Sequence, residues 1–327
     1  MKLKLTILYF SLALIAGCIA NRPTERLEFV APGSYPEGIA FDAVRNVYYV
    51  SSARLATIGK VDLQGRYSAV FTDTTLRSTY GMKIHPDGKR LFVCAGDANY
   101  SKYSSQQTRN KLCRLIIIDL ETGRKMNDID LAPLVSAPHF PNDLIFDDEQ
   151  NAYVTDSYAN VIYKVDHSGK PSLFSSSDLY KTKGIGLNGI VWHSSGFLLA
   201  SSGATGALYK VPLNAPNNPH KVVMANFFMN ADGLLLNAQD TLTLIQNGGA
   251  EKIYKLLSTD DWDSAEIAAT TLVADRFSYP STAALRGSQV WVMNAKFHDL
   301  EDSTAVPSKR FAVQRAVFKP IPKKLRR

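Results

Sequence analysis

Glu37-Gly38-Ile39-Ala40-Phe41-Asp42 is the first of six copies of one short pattern, a single residue placed directly before a small apolar strand. The others are Tyr80-Gly81-Met82-Lys83-Ile84-His85, Asn142-Asp143-Leu144-Ile145-Phe146-Asp147, Asn188-Gly189-Ile190-Val191-Trp192-His193, Asp232-Gly233-Leu234-Leu235-Leu236-Asn237 and Ser281-Thr282-Ala283-Ala284-Leu285-Arg286. Successive copies begin 43, 62, 46, 44 and 49 residues apart. That is the period of a β-propeller blade, so six copies predict an all-β, six-bladed propeller. The leading residues, Glu, Tyr, Asn, Asn, Asp and Ser in turn, would then point together into one central channel.

The rest of each repeat reads as the remainder of a blade. A second β-prone strand follows a turn, as in Pro86-Asp87-Gly88 before Arg90 to Ala95. A third alternates apolar and polar residues, for example Ile162-Tyr163-Lys164-Val165-Asp166, as half-buried strands do. A weaker fourth is expected at Ser68 to Phe71, Pro171 to Phe174, Lys221 to Met224 and Ala269 to Val273. Four antiparallel strands per repeat make a propeller blade. The last repeat lacks a fourth strand, and Leu27 to Val30 near the N-terminus is left over. Donating that segment to the sixth blade would close the ring and remove an exposed strand edge. The longest spacing contains a polar insert from Gly96 to Lys111, which either covers the channel mouth or forms a surface excursion.

Outside the repeats the chain has an export signature. Lys2 and Lys4 precede an apolar run from Leu5 to Ala16, too short to span a bilayer but suited to a secretion signal. Ile15-Ala16-Gly17-Cys18 resembles a bacterial lipobox. The expected organisation is a signal peptide with lipobox over 1–18, a tether over 19–25, the propeller over 26–318 and a basic tail over 319–327. Cys18 would carry a lipid anchor that holds the protein at the bacterial cell envelope, facing the periplasm or on the outer membrane; a simple cleaved signal is the alternative. Cys94 and Cys113 lie on neighbouring strands, where a disulfide and two buried thiols are both open readings. The formal charge of +7 is partly concentrated in the tail residues Lys319, Lys323, Lys324, Arg326 and Arg327. No basic stripe interleaved with aromatics accompanies it, which argues against nucleic acid as a partner.

Chemistry is expected at the leading residues. One Asn-Gly or Asp-Gly alone is an ordinary turn signal. Glu37, Asn142, Asn188 and Asp232 at one phase of a repeat form an all-oxygen set, suited to Ca²⁺ and less well to Zn²⁺, with Mg²⁺, Mn²⁺ or Zn²⁺ as substitutes. Tyr80 and Ser281 complete the ring without ligand character, and Tyr80 either bonds substrate or fills the channel.

Pro36-Glu37-Gly38, Asn142-Asp143 with Asp147, Asn151-Ala152-Tyr153-Val154-Thr155-Asp156-Ser157, Leu187-Asn188-Gly189 and Asp232-Gly233 followed by Asn247-Gly248-Gly249 resemble the SMP-30/gluconolactonase/LRE family, in particular its exported SMP-30-like branch within the calcium-dependent phosphotriesterase-like superfamily. The resemblance covers roughly residues 30 to 295 and implies a six-bladed propeller with a central divalent ion, usually calcium, that hydrolyses sugar lactones, aryl-lactones or organophosphates. It implies Glu37, Asn188 and Asp232 as metal ligands, Asn142 as a water-mediated ligand or substrate contact, and Asp232 as catalytic base or nucleophile. One position departs from the pattern: Phe140 stands where sugar lactonases carry an arginine, so an apolar lactone or ester is expected in place of a sugar lactone. His139, three residues before Asn142, is a candidate substrate contact or general base near the channel mouth, or else a hydrogen-bonding loop residue. The reading is an exported calcium-dependent lactone or ester hydrolase; the alternative is a non-catalytic, metal-stabilised propeller that binds a small ligand or a protein.

Overall fold

A computed structural model describes residues 25–302 and 304–322; Cys18 and the tail residues from 323 onward lie outside the described residues. The N-terminal strand β1 (Arg26–Val30) stands apart from the first blade, which is built from β2 (Ile39–Asp42), β3 (Val47–Val50), β4 (Thr57–Asp62) and β5 (Tyr67–Thr72). Blade two holds β6 (Ser78–Ile84), β7 (Arg90–Gly96), β8 (Cys113–Asp119) and β9 (Lys125–Asp130); blade three holds β10 (Pro141–Phe146), β11 (Ala152–Asp156), β12 (Val161–Val165) and β13 (Pro171–Ser176). Blade four follows with β14 (Leu187–His193), β15 (Phe197–Ser202), β16 (Leu208–Pro212) and β17 (His220–Lys221), and blade five with β18 (Ala231–Leu236), β19 (Leu242–Gln246), β20 (Lys252–Leu257) and β21 (Glu266–Thr270). Blade six takes β22 (Pro280–Arg286), β23 (Gln289–Asn294) and, after the one short α-helix among the described residues, α1 (Phe297–Glu301), β24 (Arg310–Arg315).

β1 completes blade six, pairing antiparallel to β24 from Arg26 opposite Gln314 to Val30 opposite Arg310. The ring is therefore closed by the two ends of the chain, as the leftover segment in the sequence predicts. Phe29 pins the closure, with its ring 6.0 Å from Tyr67 and 6.2 Å from Phe311. Two segments differ from expectation. The fourth strand of blade four stops at Lys221, because the chain peels away and Val223 bridges to Ser264 of blade five. Lys319, read from the sequence as part of a tail, sits in a fifth strand on blade five, β25 (Lys319–Pro320), paired with β21.

Five of the six leading residues occupy β-bulges. The pairing register shifts between Thr79 and Met82, Pro141 and Leu144, Leu187 and Ile190, Ala231 and Leu234, and Pro280 and Ala283. A bulge inserts an extra residue and re-aims a side chain, here into the channel. The residue after the leading one must also let the next blade approach. A Cβ on Gly81 would lie 2.5 Å from the Asn142 carbonyl oxygen, and one on Gly233 would lie 2.8 Å from that of Ser281. The polar-Gly dipeptide is thus an inter-blade contact as well as a bulge. Hydroxyls tie it down: Ser201 Oγ donates to the Asp232 carbonyl at 2.8 Å, Thr155 Oγ1 to that of Asn188 at 2.6 Å, and Ser281 Oγ to that of Glu37 at 2.6 Å. Gly81→Ala is expected to destabilise the ring by about 1–3 kcal/mol, because the clash is with backbone that cannot rotate away. Chemical denaturation of the two proteins measures it.

Candidate functional site

All six inner strands begin at the same end of the channel, so Glu37, Asn142, Asn188 and Asp232 converge. They line one cavity of about 240 Å³ together with Asn230, Asn247 and a wall that includes Tyr100, Phe140, Tyr279 and Phe297. The floor is polar and the wall is mainly aromatic. Glu37, Asn142, Asn188 and Asp232 are buried, with relative exposures between 4% and 7%.

Oxygens of three of them are not satisfied by the protein. Glu37 Oε2, Asn142 Oδ1 and Asn188 Oδ1 are buried and have no hydrogen-bond partner, and the same holds for Asp143 Oδ2 just beneath. Each such acceptor costs about 1–3 kcal/mol if nothing meets it. The side chains are nonetheless fixed from behind. Asn142 Nδ2 donates to Ser157 Oγ at 3.1 Å, which leaves its oxygen facing the cavity, and Asn247 Nδ2 donates to Asp232 Oδ2 at 2.6 Å. Burial pushes the Glu37 carboxyl well up, and the Asp232 and Asp143 charges push it further. Asp232 is likewise raised well above the carboxylate range by burial and by Asp143, with partial relief from the Asn247 and Asn188 amides. Crowded carboxylates and orphaned carbonyl oxygens are what a hard divalent cation satisfies, and this donor set contains no sulfur or imidazole. The residues present therefore fit a calcium-type ion.

Asp143 stands where four of the other five blades have glycine and the sixth has Thr282. Its Oδ1 accepts the Leu144 amide at 2.9 Å and lies 3.4 Å from Lys83 Nζ. Lys83 is thus the counter-charge closest to the carboxylate group, and it also acts on Glu37 to lower its pKa.

The other expected site residues divide. Phe140 lines the cavity, as does Tyr100 from the insert, so part of that insert does reach the channel mouth. Tyr80 does not line it: fully buried, it packs edge-on against Phe140 with centroids 4.8 Å apart, and its hydroxyl accepts the Ala98 amide at 3.2 Å. The tyrosine fills the channel wall. His139 is also behind the wall, away from the mouth. Its Nδ1 is 2.7 Å from Asp156 Oδ2, while Asp156 Oδ1 accepts the amides of Phe140 at 2.9 Å, Tyr158 at 3.1 Å and Ala159 at 3.0 Å. Cys113, His139 and Asp156 bring potential ligand atoms within 4.8 Å of one another. The 2.7 Å contact is a hydrogen bond, shorter than the roughly 3.3 Å edge of a tetrahedral zinc polyhedron. The cluster anchors the segment carrying Phe140 and Asn142. Cys94 and Cys113 are both free and buried, because strand register places Cys94 opposite Leu115 and Cys113 opposite Gly96. Burial raises both thiols far above the reactive range.

No family model and no curated protein matches this sequence. Solved structures do. The chain is similar to the major allergen Mala s 1 of Malassezia sympodialis, with a TM-score of 0.70 and 17% identity over 90% of this chain and 96% of that one. Virginiamycin B lyase from Staphylococcus aureus aligns with a TM-score of 0.58 and 12% identity over 89% and 99% of the two chains. A protein described provisionally as a gluconolactonase aligns with a TM-score of 0.56 and 15% identity over 92% and 95%. At these identities the likeness establishes the six-bladed fold, and the chemistry has to be argued from the residues of this chain.

Proposed function

We propose that this chain is a divalent-metal-dependent hydrolase of a lactone or ester, of the SMP-30/gluconolactonase kind, with calcium held by Glu37, Asn188, Asp232 and Asn142. The observation that carries the reading is the set of orphaned oxygens on Glu37, Asn142 and Asn188, which meet Asp232 on one cavity floor. Charge supports a divalent ion. With Glu37, Asp143 and Asp232 ionised and Lys83 protonated, the buried group is short of two positive charges. Export, with a lipid on Cys18 at the bacterial cell envelope, belongs to the same proposal and rests on the Lys2, Lys4 and Ile15-to-Cys18 pattern.

Bound calcium would supply Lewis acidity toward the substrate carbonyl and toward negative charge developing on its oxygen. The chain supplies the rest. Asp232, oriented by Asn247, accepts a proton from the attacking water. Asn142, fixed by Ser157, holds its carbonyl oxygen toward the reacting groups. Phe140 replaces a charged substrate contact with a ring, and with Tyr100, Tyr279 and Phe297 it keeps water from one side of the cavity. An aryl or otherwise apolar lactone or ester suits this wall better than a sugar.

Full-length chain assayed on a panel of lactones and aryl esters is expected to turn over at least one apolar member in calcium and none in chelator. A melting temperature indifferent to every divalent cation would remove the metal site. A calcium-dependent shift without turnover on the panel would leave the non-catalytic binding reading in its place.

A further inference from the structure

The cavity wall points to a charge preference that the lactone or ester reading does not contain. Phe297 from α1 bridges the wall, with ring centroids 5.2 Å from Tyr100 and 5.5 Å from Tyr279, and Tyr100 lies 6.4 Å from Phe140. These rings come from blades two, three and six and form one continuous aromatic surface. Behind it stand carboxylates. Glu301, on the same helix as Phe297, accepts the Tyr279 hydroxyl at 3.5 Å, and Glu251 Oε2 accepts the Tyr279 amide. Among the described residues, no lysine, arginine or histidine lines the cavity.

The phenols take no part as anions. Burial holds Tyr100 and Tyr279 far above the ordinary phenol range, and the Glu301 and Asp232 charges raise both further. The wall is therefore neutral π surface set in a negative field, although the whole chain has a formal charge of +7. Glu251 and Glu301 do not line the cavity and act from behind the rings, where His298 also lies, its ring 6.4 Å from that of Tyr279; an anionic group therefore finds no counter-charge in the cavity lining. A neutral apolar group would gain the rings alone. A cation gains both the ring faces and the counter-charges, and cation–π contact at such a surface strengthens binding by roughly 2-fold to 30-fold per well-placed ring.

We propose that the ligand of this cavity carries an organic cation, an ammonium or quaternary amine, seated against Tyr100, Tyr279 and Phe297 with Glu301 and Glu251 as counter-charges. As a statement about the substrate it rests on the hydrolase reading; as a statement about binding it does not. Calorimetric titration of the full chain in calcium buffer, with phenyltrimethylammonium and with benzyl alcohol as a neutral aromatic of smaller size, tests it without any turnover. The ammonium probe is expected to bind at least 10-fold more tightly, and the preference should weaken as salt is raised. Glu301→Gln combined with Glu251→Gln should cost the cation several-fold and leave the neutral probe unchanged, since glutamine still accepts from the Tyr279 amide. Equal or tighter binding of benzyl alcohol, or a cation affinity unaffected by the double substitution, would overturn the proposal. Cation binding by a chain that hydrolyses no ester would overturn the hydrolase reading and leave this one standing; hydrolysis of neutral esters without cation binding would do the reverse.

Discussion

Asp232→Ala is expected to weaken calcium binding by about 100-fold or more and to lower hydrolysis of any accepted ester by about 10²–10⁴-fold at saturating calcium. Two losses are combined in the one substitution. Of the four proposed oxygen donors only Glu37 and Asp232 are carboxylates, so alanine removes one of the two charged ligands. It also removes the group placed to take a proton from water, and it strands the Asn247 amide that donates to Oδ2 at 2.6 Å. Asp232→Asn separates these effects. It keeps the shape and an oxygen for the metal while deleting the base, so calcium-induced thermal stabilisation should be partly retained while turnover is lost. If Asp232→Ala hydrolyses esters as well as the parent chain, Asp232 is neither base nor essential ligand. Isothermal titration and initial-rate measurements on the three proteins read both quantities.

The ring of blades was legible in the sequence because one residue pattern had to serve two purposes at every repeat. Asn188-Gly189 and Asp232-Gly233 each supply a bulge that turns a side chain inward and a residue without Cβ where the next blade presses close. Both demands are local, so they recur at a fixed phase and can be counted. The closure by Leu27 to Val30 was legible because the sixth repeat was short of a strand. The aromatic wall was not. Tyr100, Tyr279 and Phe297 lie in three different loops or short elements with no common phase, and only the folded ring brings them to Phe140. The sequence leaves His139 open between a channel-mouth contact and a hydrogen-bonding loop residue, because its partner Asp156 is distant in the chain, at the far end of β11, and draws the ring behind the wall. Thr155-Asp156-Ser157, together with the serines at Ser51 and Ser201, recur at the end of the second strand. They held a usable signal, since their side chains fasten the bulges and the Phe140 segment.

Without metal, stability is expected to fall as pH rises from about 5 to 8, and saturating calcium should reverse that trend. Most carboxylates in a folded protein are ion-paired and have depressed pKa values, as Asp87 does at about 2, beside Arg90 and backbone amides. Such groups contribute stability that is complete once the pH exceeds the unfolded carboxylate range, and they add no slope between 5 and 8. Glu37 and Asp232 have the opposite sign. Their folded pKa values are raised by burial and by neighbouring carboxylates, Asp232 and Asp143 for Glu37 and Asp143 for Asp232, so the folded chain holds protons that the unfolded chain has already released. The stability tied to those protons is fully present below the unfolded carboxylate range and is lost as pH climbs through the raised folded values. Calcium removes the penalty by taking the place of the protons, so its affinity should increase over the same window. At a thousand-fold excess over the dissociation constant, binding to the folded state alone stabilises it by about 4 kcal/mol. Melting curves at pH 5 and pH 8, in chelator and in calcium, should therefore give the smallest calcium shift at the lower pH and the largest at the higher. Glu37→Gln, which cannot ionise, should flatten the chelator curve. A chelated protein equally stable at both pH values would mean that the folded pKa values of Glu37 and Asp232 are not raised, and the cavity floor would then lack the buried, crowded charge on which calcium binding depends.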